Sequence, residues 1–251
     1  MTLTQAASAG PRRARHRAAP KPRQSTTNAI RGFGEVLITL GLVLLLFCVY
    51  QLFYTNVPAN RAMNKEKDAL QKQWQQPVGG AVPGKKPAAG KHTFAPGEGF
   101  AIIYIPRLGK NYAKPILEGV ALKDLARGVG HYPKSVMPGD VGNFAVAGHR
   151  ATHGEPFANL PKVRPGDPVI IETADTWYVY QVDREKLTVP SDVGVVLPVP
   201  EKPGVQPTKE LITLTTCHPR WASYQRYIVF GHMKYKLKKT EGRTPAELKS
   251  A

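Results

Sequence analysis

The hydrophobic and polar positions of this chain change texture several times, and each change marks an element. Val36–Tyr54 carries no charged residue, has only Thr39 and Gln51 as clearly polar interruptions, and gathers Tyr50, Phe53 and Tyr54 at its far end. About twenty apolar residues are what a helix needs to cross a bilayer, and aromatic rings collect at the interface. Asn60–Gln76 is polar and free of Gly and Pro, a pattern that predicts an outward continuation of the helix. Pro77–Pro96 is rich in Pro, Gly, Lys and Ala and reads as a flexible spacer.

From Gly97 the pattern shortens to strand-length runs separated by Gly/Pro turns. Phe100–Ile105 reads as a strand stopped by Pro106, and Tyr112–Leu117 as a second strand that Pro115 assigns to a sheet edge. Ala121–Arg127 predicts one or two helical turns, Asn143–His149 a strand, and Pro156–Leu160 a short helix. Pro168–Ile171 and Thr176–Asp183 read as a hairpin, and Ser191–Pro200 as a Pro-rich loop. Leu211–Thr216 has period-2 alternation with β-branched residues, and Tyr227–Phe230 is a short apolar run. The fold class is therefore mainly β, a single barrel or sandwich with short helices. Antiparallel pairing of the last two strands brings Cys217 and Arg226 to the same end of a sheet.

Charge changes this picture only at the flanks. The 251 residues carry a net charge of +17. Residues 1–35 hold seven Arg/Lys against one Glu, residues 55–96 seven against two acids, and residues 97–240 nineteen against thirteen. The excess lies in segments too polar to bury a core. A basic tail directly before an apolar span reads as a cytoplasmic juxtamembrane segment by the positive-inside rule, and a nucleic-acid partner is not expected. A cleaved signal peptide is the competing reading, against which the length of the apolar run counts. The boundaries are a basic cytoplasmic tail at 1–35, an anchor at 36–54, a linker at 55–96, an outer domain at 97–240 and a polar tail at 241–251. The domain then faces the outside of a cell membrane.

The two cysteines separate on this reading. Cys48 lies in the apolar span, so Cys217 is the single cysteine of the outer domain and has no internal disulfide partner. A thiol acts as a nucleophile near neutral pH only with help from a cation or a histidine. His218 is adjacent on an extended chain and points the other way. His149 follows the small residues Ala145 and Ala147 on one face of its strand, which leaves room for a cleft, and it is the choice on position. His131 and His232 read as packing or surface residues. Zinc is disfavoured because Cys217 is unpaired and no acidic cluster accompanies His149 and His153. No cofactor is expected.

Thr213–Cys217 (TLTTC), with Arg226 nine residues on in QRYIVFG, resembles the active-site signature of sortases. Ala147–Pro161 (AGHRATHGEPFANLP) resembles the sortase histidine segment, and TLTTCHPR with an N-terminal anchor is most similar to the class E sortases of actinobacteria. The resemblance covers about residues 97–240. It implies the eight-stranded sortase barrel and a cysteine transpeptidase cleaving an LPxTG-type sorting signal, LAxTG for class E, between Thr and Gly. Cys217 would form a thioacyl intermediate, His149 would move protons, and Arg226 would hold the substrate backbone and the oxyanion. Thr216 would contact substrate or oxyanion, Tyr112 would line the pocket for the signal's second residue, and Thr188–Val199 would be the segment between strands six and seven that packs on the signal. The implied partners are sorting-signal-bearing surface proteins, a peptidoglycan precursor or wall amine as acceptor, and the membrane through residues 36–54. A pilus-polymerising sortase and a non-catalytic exofacial β-domain are the alternatives.

Overall fold

Alternating apolar positions punctuated by turn residues build the strands, and their closure into a ring positions the site. The protein is described here by a computed structural model that covers residues 24–50, 54, 56–75 and 94–249. The expected tail at 1–23, residues 51–53 of the expected anchor and most of the expected spacer, 77–93, lie outside the described residues. The chain forms two units, Met1–Cys48 and Val49–Ala251.

In the first unit, α1 runs over Gln24–Val49. Its stretch Thr27–Val49, with mean hydropathy 2.4 and no side chain buried, is long and apolar enough to cross a bilayer. Helix starts well before Val36, and Arg31 reaches Glu35 one turn on at 3.2 Å.

In the second unit, α2 (Asn56–Gln75) precedes the strands. Its Pro58 falls in the first turn, where the missing N–H costs nothing. Although the segment is polar, Ala59, Met63 and Leu70 of this helix are buried. The helix lies against the first two strands, and Arg127 ties Glu66 to the domain at 2.6 Å.

The strands are β1 (Gly99–Tyr104), β2 (Ala113–Glu118), β3 (Val129–His131), β4 (Gly142–Ala147), β5 (Pro168–Glu172), β6 (Thr176–Thr188), β7 (Glu210–His218) and β8 (Gln225–Lys238). They close as a barrel in the order β1-β2-β3-β4-β7-β8-β6-β5, with β5 returning to β1. This is the expected mainly-β barrel of eight strands. Two pairs are parallel, β2 with β3 and β4 with β7. A short helix, α3 (Leu122–Leu125), serves the first crossover.

Several local expectations are corrected. β2 is not an edge strand, since it pairs on both sides, but its ladder with β3 begins only at Ile116, so Pro115 faces no β3 partner. The segment 156–159 is a turn, and helical geometry appears only at Leu160–Lys162 as one 3₁₀ turn. The folded domain begins before Gly97, because Phe94 stacks on Phe100 at 4.8 Å. It also takes in the tail, where Tyr235 donates to Glu247 at 2.5 Å and Leu248 packs by Trp177.

The interior holds Ile103, Ile116, Phe144, Val146, Ile171, Tyr180, Leu214 and Val229, one face of each strand as period-2 alternation requires. The outer face of β8 is covered as well: Ile228 and Phe230 pack under Val195 of the β6–β7 segment. Buried Asn143 pins that segment, donating to Leu197 O at 3.0 Å and accepting from Thr213 at 2.9 Å. A buried amide satisfied on both sides fixes one loop position where an apolar residue would allow several.

Candidate active site

Because β4 and β7 are parallel, their C-terminal ends reach the same rim of the barrel, and β8, antiparallel to β7, starts there. The last β4–β7 pair is Ala147↔Thr215. Two residues beyond this pair come His149, just past the end of β4, and Cys217 on β7. Across the other edge of β7, Cys217 faces Arg226 as a direct register partner. β7 and the start of β8 thus bring Cys217 and Arg226 to the rim at which β4 ends, two residues before His149. β6 ends on the same rim, with Thr188 opposite Arg226, so the β6–β7 segment starts beside the guanidinium.

Alternation decides which side chains share the outer face. Ile212 and Leu214 point into the core, so Thr213, Thr215 and Cys217 point outward. On β4 the same logic puts Ala145 and Ala147 outward, in line with His149. Small side chains therefore floor the surface leading to Cys217. The thiol is free and half-buried. Arg226 donates from Nη1 to the carbonyls of Ser223 and Gln225, at 2.8 and 3.1 Å, which ties its stem to the turn.

Thr216 falls on the opposite face. It is buried, and its hydroxyl donates to the Gly148 carbonyl at 2.7 Å, next to His149 rather than beside the thiol. Gly148 itself is required by packing, because a Cβ there would lie 2.6 Å from the Phe157 ring. Tyr112 sits just before β2 on the same rim. Its hydroxyl end is sunk and donates to Pro156 O in the His149 loop at 2.9 Å, and burial pushes that phenol well above its ordinary pKa.

The other histidines have separate partners. His131 is buried between Glu118, at 2.7 Å, and Ser135, at 2.8 Å, and His232 meets Asp183 at 2.7 Å. His218, beside Cys217, is bonded by Arg150, which also donates to the Cys217 carbonyl at 3.4 Å. The sequence reading missed Arg150, although it directly follows the chosen histidine. Among the described residues its Nε is the buried side-chain nitrogen that lacks a hydrogen-bond partner. No group of three or more His, Cys, Asp or Glu side chains that fits a metal ion occurs among the described residues.

Burial first, and then the neighbouring His153, lower the His149 pKa, and the two rings stack at 5.1 Å. The neutral imidazole is thus favoured at pH 7. A depressed histidine pKa means that the unfolded chain takes up the proton first, so this group costs stability as pH falls below the unfolded value of about 6.5. Replacing His153 with Gln is expected to raise the His149 midpoint while leaving it below that value, because burial is the larger cause. Titration of the imidazole C–H resonances by NMR checks this; an unmoved midpoint would show that His153 does not act on His149.

The profile of the sortase domain family matches residues 103–234. Sortase SrtE1 of Streptomyces coelicolor is 41% identical over 241 residues, covering 93% of this chain, and this chain spans about 65% of that protein's length. Sortase SrtE2 of the same organism is 36% identical, with 90% of each chain covered. A crystal structure of sortase E1 from Streptomyces coelicolor with a tripeptide in the active site superposes with a TM-score of 0.56 and 42% identity, covering 62% of this chain and 99% of that one.

Proposed function

This chain belongs to the sortase family, and we propose that it is a membrane-anchored cysteine transpeptidase that cleaves an LAxTG- or LPxTG-type sorting signal between Thr and Gly. The observation that supports this reading is the register that pairs Cys217 with Arg226 across β7 and β8, at the rim where β4 ends two residues before His149. α1 is the anchor, with the basic N-terminus in the cytoplasm and the barrel outside.

Cys217 Sγ attacks the Thr carbonyl carbon while the thiol proton passes to the neutral His149 imidazole. The tetrahedral oxygen takes up negative charge and meets the Arg226 guanidinium, a fixed cation at the atom where charge develops. Collapse breaks the bond to the Gly nitrogen, and His149 gives its proton to the departing amine. A thioester to Cys217 remains. An incoming wall amine then loses a proton to His149 and attacks the thioester, restoring the thiol. Thr216 serves this sequence indirectly, holding the Gly148 carbonyl and so the approach to His149. Tyr112 and the β6–β7 segment border the rim where the signal lies. Leu187, Val189 and Val193 are exposed along the path from β6 and offer apolar contact to the Leu and Ala of the signal.

Mass spectrometry of the protein mixed with LAxTG or LPxTG peptides tests the proposal. The expected product is a single adduct on Cys217 with the mass of the peptide up to Thr, in greater yield with LAxTG. No adduct and no cleavage with either peptide would sink the acyl-transfer reading.

A further inference from the structure

The loop that follows His149 is held from two sides. Asn56, the first residue of α2, donates its amide to Glu155 Oε1 at 2.7 Å and accepts the Gly154 N–H at 2.9 Å. The other Glu155 oxygen is taken by Arg220, three residues past Cys217. Above the same turn lies Met63, fully buried, so close that a Cβ on Gly154 would fall 1.9 Å from its Cε. Gly154 has φ +77°, and Thr152, His153 and Glu155 all have positive φ, at 60°, 49° and 38°. Non-glycine residues keep such conformations only where their surroundings impose them. The loop closes on itself where the Phe157 N–H meets the His149 carbonyl at 2.9 Å. Displacement at Glu155 is therefore carried to His149.

We propose that α2 is a working part of the site, in which Asn56 and Glu155 are positioning residues that clamp the His149 loop against Arg220 and so keep the imidazole level with Cys217. The clamp joins segments 98 and 99 positions apart. It also starts only a few residues after α1 ends, so the chain just outside the apolar helix contributes to the site. This inference rests on the reading of His149 as the proton carrier.

Asn56→Asp isolates the clamp in the full chain. The shape is kept and an acid in the first turn favours the helix, yet the donor to Glu155 is lost and a like charge faces it. The expected result is a fall in kcat of about tenfold with KM within about twofold, the behaviour of a misplaced catalytic group. Hydrogen exchange across residues 150–157 is expected to quicken. Adding Glu155→Gln restores a donor opposite the new acid, and the double variant is expected to regain most of the lost rate. Lys72→Ala, on the exposed side of α2, is the control and keeps the wild-type rate. A kcat or an exchange pattern that Asn56→Asp leaves unmoved overturns the proposal, as does a double variant no faster than Asn56→Asp. If the unmodified chain cleaves no sorting peptide, the transpeptidase reading falls by itself, and the exchange pattern still decides whether the clamp exists.

Discussion

Cys217→Ala is expected to abolish cleavage of a fluorogenic LAxTG peptide, by roughly 10⁴-fold or more, the scale on which hydrolytic enzymes lose rate without their nucleophile. The fold should survive. Cys217 stands at the outer end of β7, half-exposed and outside the interior cluster, so removing its sulfur opens no cavity. A stability change below about 1 kcal/mol is expected, measured by thermal unfolding, since losses above that come from buried or partnered groups. Peptide cleavage at the wild-type rate in a folded Cys217→Ala protein would rule out covalent catalysis by this thiol. Loss of activity together with unfolding would be ambiguous in a buried residue; the position of Cys217 makes the two readouts separable.

The elements that local signals specify are legible in the sequence. Alternation over Leu211–Thr216 and the apolar run Tyr227–Phe230 predicted β7 and β8, and simple antiparallel geometry put Cys217 and Arg226 at the same end of a sheet, where the register makes them direct partners. The same alternation also explains Thr216, whose side chain must face away from its neighbour Cys217 and enters the barrel. What the sequence hid was long-range. Only Ala59, Met63 and Leu70 mark the buried stripe of α2, diluted among charged and amide side chains, so no packing face was legible. Asn56 finds its partners almost a hundred residues away, and nothing near it in the chain announces them. Pro115 misled because a missing donor is tolerated wherever the ladder has not begun, and in a barrel that place exists away from any edge.

Arg226→Lys, charge-conserving as it is, is expected to lower kcat by about 10²–10³-fold, as removal of an oxyanion donor does. A guanidinium carries five N–H donors in a rigid plane. In this site Nη1 is committed to the carbonyls of Ser223 and Gln225, which fixes the plane of the group at the mouth of the β7–β8 turn. Nε and Nη2 make no hydrogen bond among the described residues, and the proposed mechanism assigns them to the substrate. On the proposed mechanism one end of the fork holds the turn while the other serves the oxyanion, and neither task requires the side chain to move. A lysine ammonium is a compact, strongly hydrated charge with no second end. It can satisfy the turn carbonyls or approach the oxyanion, and either choice leaves the other unserved. The loss should fall on kcat, with KM changed by no more than a few fold, because the missing contact matters most in the transition state. Steady-state kinetics on the LAxTG peptide decide the matter. A lysine variant within about threefold of wild type would mean that positive charge alone suffices, and the two-ended role assigned to Arg226 would have to be abandoned.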